Sequence, residues 1–348
     1  MRILIVTTQT PFIHGGAEIH AEELLRQLQK AGHEAEIVAI PFQVYPQERI
    51  LDSMLVCRLL DLSQFAGWVI DRVIALKFPA YLVPHPRKVL WILHQHRQAY
   101  EMWNHPQFGD LYRLPNGQQI KSSIERADNH AFAESHAIFS NSRNVANRLK
   151  QFNGIDSLPL YHPPQKSDCF YCEPEEGYFF FPSRFNEIKR QTLVLEALAQ
   201  TTYPVKVIFA GQSHGNFRKA VEQMIQDFGL EDRVTLVGCI SAEQKLDYYA
   251  KSLAVIYPPF DEDYGYVTLE GMLAAKPVIT CWDSGGPLEF IHDRQTGLVT
   301  EPNPTSLAKA LDELWENRSW AKTLGKAALD YYQSLHITWS NVLEKLLK

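Results

Sequence analysis

Apolar residues in this chain fall into short runs, separated by longer stretches in which they recur every three or four positions. The runs RILIVTT, AEIVAI and KVLWILH read as strands, while HAEELLRQLQKAG carries a helical stripe that stops at Gly32. HAIFSNS follows as a short strand, with the helix NVANRLKQF behind it. Around NGIDSLPLYHPPQKSDCFYCEPEEG the composition turns to Pro, Gly and polar residues, which marks a linker. The pattern then restarts. Strands YFFFPSR, VKVIFAG, VTLVG and LAVIYPP alternate with helices QTLVLEALAQ, AVEQMIQDFG and KLDYYAKS. The segment from Ser53 to Leu82 is apolar with interspersed charge, and is expected to form core helices of the first half rather than a membrane-touching surface. Two successive sets of alternating strand and helix predict an α/β protein of two Rossmann-like halves about a cleft, with ligands beyond the carboxyl ends of the strands.

Composition adds limits. A chain of 348 residues is long enough for two domains that each bury a core. Its 45% hydrophobic and 21% charged residues are ordinary for a water-soluble protein, and a net charge of −6 argues against bulk nucleic-acid binding. Met1 leads straight into a strand, so no signal peptide is expected, and Asp61, Asp71 and Lys77 interrupt the richest apolar region before it reaches spanning length. The five cysteines are odd in number and scattered, as in reduced cytoplasmic proteins. Cys169 and Cys172 form a C-x-x-C with no partner pair, which leaves a zinc or redox role without support.

The chemistry concentrates at strand ends. In DEDYGYVTLEGMLAAKPVI, Gly265 breaks the pattern where helical periodicity begins, placing Glu262 in a loop and Glu270 in the helix. The amides of Gly265, Tyr266 and Val267 then open the helix and make a seat for phosphate. Carboxylates flanking such a seat suit a nucleotide sugar, with ribose at one end of a diphosphate and hexose at the other. In PSRFNEIKRQ, Arg184 and Lys189 supply two cations that would neutralise that diphosphate. Gly15 and Gly16, at the first strand-to-helix turn, would let backbone approach a ligand, without the G-x-G-x-x-G spacing of a dinucleotide site. In WILHQHRQAYEMW at least one of His94 and His96 should face the cleft, and Arg97, Tyr100 and Trp103 recur at spacings of three, a candidate acceptor-facing helical stripe, with Tyr100 and Trp103 read as packing residues ahead of binding platforms. A metal reading of the two histidines lacks a carboxylate or cysteine to complete it.

The paired glutamates, the Arg-x(4)-Lys element, GGAEIHAEEL, IFSNSRNVANRL and GGPLEFIHDRQTGLV together resemble the retaining glycosyltransferases of the GT-B fold, family 4 (group 1). The wording FSNSRNVA is similar to bacterial members that build surface polysaccharides and lipid-linked glycans. Two departures are Tyr264, where an aromatic Phe is usual, and Gly271, where alanine commonly follows the second glutamate. The resemblance implies an acceptor-side domain over residues 1–165, completed by a crossing-back C-terminal helix over 331–348, and a donor-binding domain over 172–330. It implies that Arg184 and Lys189 hold the donor diphosphate, that Glu270 meets the ribose and Glu262 the hexose, and that His94 sits beside the donor sugar. Gly15 and Gly16 would border the diphosphate and transferred sugar. It further implies a UDP- or GDP-sugar donor, a glycan or lipid-linked acceptor, no metal, and a cytoplasmic enzyme that can touch the membrane periphery. A GT-B epimerase or phosphorylase, or a non-catalytic sugar-nucleotide-binding partner subunit, would share the fold; a dehydrogenase is opposed by the missing glycine spacing.

Overall fold

The computed structural model describes residues 1–43, 45–212 and 217–348. The chain divides into two compact units, Met1–Gln165 with Thr338–Lys348, and Lys166–Ile337. Through residue 165 the first unit runs β1 (Arg2–Gln9), α1 (Gly16–Lys30), β2 (Glu34–Pro41), α2 (Ile50–Leu59), β3 (Gln64–Phe65), β4 (Trp68–Val69), β5 (Arg72–Lys77), β6 (Lys88–His94), α3 (Gly117–Ala133), β7 (Ala137–Ser140), α4 (Arg143–Asn153) and β8 (Leu158–Pro159). Its main sheet is parallel throughout, in the order β2-β1-β5-β6-β7-β8, with β3 and β4 as a separate hairpin. Burial on both faces accounts for the continuous apolar runs. Along β1, Ile3 and Ile5 enter one core cluster with Leu24 and Leu28 of α1, while Leu4 and Val6 enter another with Ile120 and Ile124 of α3. That alternation is the two-residue period of a strand, hidden in the sequence because both sides are apolar.

Two elements differ from the sequence reading. The Ser53–Leu82 segment holds one helix, α2, followed by the hairpin and by β5, which is buried at every position. A strand covered on both sides shows no apolar–polar alternation, and its terminal Arg72 and Lys77 resemble the charges of an amphipathic helix. Both charges are satisfied: Arg72 donates to the Leu346 carbonyl at 2.6 Å and Lys77 to Glu18 at 3.1 Å. Helix α3 went unread because its apolar residues are separated by polar ones such as Glu125, Arg126 and Asp128. Among the described residues no helix is long and apolar enough to cross a membrane.

The second unit runs β9 (Phe179–Pro182), α5 (Gln191–Leu198), β10 (Val207–Ala210), α6 (Phe217–Asp227), β11 (Val234–Gly238), α7 (Ala242–Lys251), β12 (Ala254–Ile256), α8 (Tyr266–Leu273), β13 (Val278–Cys281), β14 (Gly297–Thr300), α9 (Pro304–Glu316) and α10 (Arg318–Ser334). All six strands are parallel in the order β11-β10-β9-β12-β13-β14. The order reverses between β9 and β12, and ligands of doubly wound sheets bind in the crevice at such a reversal. The chain then enters α11 (Trp339–Leu347), whose Val342 and Leu346 join the Ile3, Ile5 and Trp91 core of the first unit. That return starts at Thr338; α10 and residues 335–337 belong with the second unit.

Helix α10 approaches α8 through a glycine. A Cβ on Gly325 would stand 2.1 Å from the Ala275 carbonyl oxygen. Gly325→Ala gains at most about 1 kcal/mol of helix propensity. It is expected to cost roughly 1–3 kcal/mol through the backbone shift it forces. A melting temperature lower by about 2–10 °C is therefore expected in thermal denaturation; an unchanged or raised value would contradict this packing.

Candidate functional site

The loops at the carboxyl ends of β9 and β12 carry Arg184 and Lys189 and the first glutamate, Glu262. After β9 the chain passes Arg184, turns at Asn186, whose side chain accepts from the Lys189 amide at 3.0 Å, and enters α5. Arg184 is exposed and makes no ion pair among the described residues. Lys189 is mostly buried. Its ammonium donates to the Glu262 carboxylate and, at 2.9 Å, to the Tyr257 hydroxyl, and lies 5.2 Å from the Tyr257 ring centroid. Burial, and then the Glu262 charge, push the Tyr257 hydroxyl well above its usual range, so it remains a protonated partner. Glu262 is fixed through its backbone as well: its amide donates to the Ser284 carbonyl at 2.8 Å and its carbonyl accepts from Gly286 at 2.8 Å. The arrangement thus brings together Lys189 and Glu262, two residues that lie far apart in the sequence.

Glu270 stands in a different setting. It is 6% exposed, in the second turn of α8, with one carboxylate oxygen accepting from Lys245 Nζ at 2.6 Å and the other from Tyr249 Oη at 2.7 Å. Lys245 and Tyr249 are four residues apart on α7, so one helical face presents both donors. Burial and the Glu270 charge hold the Tyr249 hydroxyl well above its usual range, which keeps it a donor. The sequence reading missed Tyr257, Lys245 and Tyr249; the i,i+4 pairing inside KLDYYAKS was the available signal.

Gly265 caps α8 with φ 84°, a backbone region that favours glycine. The helix begins at Tyr266, so the amides at its start have no acceptor inside it. Gly271 lies against the sheet, where a Cβ would come within 2.9 Å of Val278 Cγ2 and 3.3 Å of Val255 Cγ2. The usual alanine would crowd both valines, which gives the Gly271 departure a steric reason.

In the first unit, Gly15 and Gly16 start α1 after β1. The Gly15 amide donates to Glu18 at 2.9 Å, and Glu18 in turn takes the Lys77 ammonium from the end of β5. Burial works against the Glu18 carboxylate, but Lys77 and the backbone donors outweigh it and hold its pKa below the usual value. The β1–β5 junction is this sheet's own reversal of order. At the end of β6, His94 is half-buried, with Nδ1 2.8 Å from the Gln95 carbonyl. His96 is buried against Phe78, and burial followed by the neighbouring His94 lowers its pKa to about 4. His96 is therefore a neutral core residue and His94 the accessible one.

The acceptor-facing helical stripe is not formed. Arg97–Ala99 make a single short 3-10 turn, and Tyr100 is 4% exposed. The Tyr100 hydroxyl donates at 2.8 Å to Asp128, a carboxyl that also accepts from Gln95 and that burial raises to about 7. Tyr100 thus serves the core, in line with its reading as a packing residue and not with the acceptor-side role also considered for it. Arg97 donates to Glu101 at 2.6 Å.

Residues 172–330 match the family model described as glycosyl transferases group 1. The alpha-1,3/1,6-mannosyltransferase ALG2 of Mus musculus is 30% identical over 178 residues, which span 47% of this chain and 43% of that protein. The O-antigen chain mannosyltransferase C of Escherichia coli is 25% identical over 50% of this chain and 46% of its own. The matched region thus spans less than half the length of these curated relatives. Over nearly the whole chain, the fold is similar to that of a sucrose-phosphate synthase from Thermosynechococcus elongatus, with a TM-score of 0.82 at 18% identity, covering 99% of this chain and 98% of that one. Anabaena HepE, solved in complex with UDP-glucose, gives 0.74 at 17% identity, covering 100% of this chain and 98% of that one.

Proposed function

We propose that this chain, whose residues 172–330 match the group 1 glycosyl transferases and which has a two-unit GT-B fold, is a retaining hexosyltransferase using a nucleotide-diphosphate sugar. The observation that carries the reading is the cluster at the β9–β12 reversal, where the Lys189 ammonium meets Glu262, exposed Arg184 shares the Lys189 loop, and α8 starts a few residues after Glu262. Arg184, Lys189 and the first amides of α8, at Gly265, Tyr266 and Val267, take the diphosphate; Glu270 accepts from the ribose hydroxyls. Glu262 holds the hexose, His94 attends the same sugar, and Gly15 and Gly16 allow close backbone approach. The C1–O bond to the diphosphate breaks while a C1–O bond to the acceptor forms on the same face. The acceptor proton passes to the departing phosphate oxygen. Cations and helix amides directed at the charge that develops on the leaving group lower this barrier, the electrostatic term that dominates such steps. The acceptor is a glycan or lipid-linked saccharide, with Arg97 as the acceptor-side residue. A peripheral membrane contact is supported by Leu55, Leu59 and Trp68, all more than half exposed on the first unit. The mannosyltransferase relatives favour mannose as the transferred hexose, and HepE, solved with UDP-glucose, supports a UDP carrier with GDP as the alternative.

A thermal-shift panel of nucleoside diphosphates in EDTA tests the donor site. One of them, at about 100 times its dissociation constant, is expected to add roughly 2.7 kcal/mol of stability. Transfer from the matching sugar nucleotide should persist in EDTA and give a product of unchanged anomeric configuration by NMR. No stabilisation by any nucleoside diphosphate would contradict the reading, and activity restored only by manganese or magnesium would contradict its metal-free form.

A further inference from the structure

Lys189 is followed at once by Arg190, whose backbone is left-handed at φ 60°. A side chain other than glycine rarely adopts that conformation without compensation. The guanidinium supplies it by forking onto Asp283, with Nη1 to Oδ1 at 2.7 Å and Nη2 to Oδ2 at 2.6 Å, and by lying 5.4 Å from the Phe260 ring centroid. Both charged side chains are largely withdrawn from water, at 17% and 14% exposed. Asp283 belongs to the loop after β13, and that loop is stitched to the Glu262 loop: Asp261 donates its amide to the Asp283 carbonyl and Glu262 to the Ser284 carbonyl, each at 2.8 Å. The Phe260 amide in turn donates to the Ile188 carbonyl at 2.8 Å. Three loops, from β9, β12 and β13, therefore converge on Arg190.

We propose that Arg190 is a positioning residue for Lys189, its fork to Asp283 fixing the cation loop against the Glu262 loop. The proposal rests on the donor-site reading above. A lysine ammonium ends a flexible four-carbon stem, so its height is set by where the backbone is clamped. Misplacement by about 1 Å at a reacting group can cost on the order of 100-fold in rate. The left-handed turn brings Lys189 to the end of the cation loop and lets α5 begin at the very next residue, Gln191. Glycine would adopt that turn more easily, yet would lose the fork. The substitution thus separates backbone comfort from side-chain clamping.

The test compares Arg190→Gly, Arg190→Lys and Asp283→Asn with the unaltered protein, in donor turnover, donor KM and melting temperature. Binding of UDP and GDP to the unaltered protein is measured first by calorimetry. In Arg190→Gly, kcat is expected to fall by about 30- to 100-fold, with KM changed less than about 3-fold and melting within a few degrees of the parent. Arg190→Lys should recover part of kcat, and Asp283→Asn should fall between. A retained kcat in Arg190→Gly would overturn the proposal, as would a loss that only tracks a lowered melting temperature. If the unaltered protein binds neither nucleotide, the donor-site reading fails and this proposal fails with it; normal binding with an indifferent Arg190→Gly sinks the proposal alone.

Discussion

Replacing Lys189 by alanine is expected to lower turnover by about 100- to 1,000-fold, equivalent to roughly 2.7–4 kcal/mol of transition-state stabilisation. The ammonium is fixed before any charge moves, by Glu262 on one side and the Tyr257 hydroxyl on the other. A donor that needs no reorganisation at the moment of bond breaking acts most strongly on the charge that develops there. The loss should therefore appear in kcat at saturating donor. The fold should survive, because Lys189 lies in a short turn and contributes to neither strand nor helix core. Near-normal kcat in a Lys189→Ala protein that melts like the parent would rule out the assignment.

The two glutamates should divide their labour. Losing the charge of Glu270 should weaken binding of the bare nucleoside diphosphate by about 1.5–3 kcal/mol, the scale of a hydrogen bond to a charged group. Its carboxylate is clamped by Lys245 and Tyr249, so in the proposed role it would meet a ribose already oriented and with little entropy left to lose. Glutamine at that position can still accept from Tyr249 but no longer balances the Lys245 ammonium. Glu262→Gln should barely change nucleoside diphosphate affinity, yet should depress transfer and blur the choice among donor sugars. Calorimetry of both variants with the same nucleotide separates the roles. Equal losses, or the larger loss in Glu262→Gln, would mean that the roles are wrongly assigned.

Much of this was legible in the sequence because strand, turn and helix signals coincide at the loops after β9 and β12. Gly265 stands at the start of α8 as its position in DYGYVTLEG implies, and Glu262 and Glu270 fall in loop and helix. What was not legible shares one cause: a neighbour far away in sequence. The run RVIALK reads as helix because Val73 and Ala75 enter one core cluster and Ile74 and Leu76 the other, which erases the alternation that would identify a strand. The packing reading of Tyr100 was within reach of the sequence, but its partners Asp128 and Gln95 were not. Arg190 draws no reading from the sequence, because nothing local reveals that Asp283 pairs with it from the loop after β13. The clamp on Glu270 lay in reach of a helical-spacing argument, and only its target was hidden.

The docking of α11 into the first unit bears on the order in which the chain can fold. The first unit is interrupted: its core holds Ile3, Trp91 and Leu346, with the whole of the second unit between the last two in sequence. Domains usually complete in the order of synthesis, the amino-terminal one first. Here the contiguous second unit can reach its native state while the first still lacks the residues that cover Trp91 and His162, both of which pack against Trp339. Until Trp339 arrives, that aromatic face is open to any apolar surface it meets. The interval of exposure on the ribosome is set by the time taken to translate the second unit, so a chaperone that shields the first unit during that interval would act before the domain is complete.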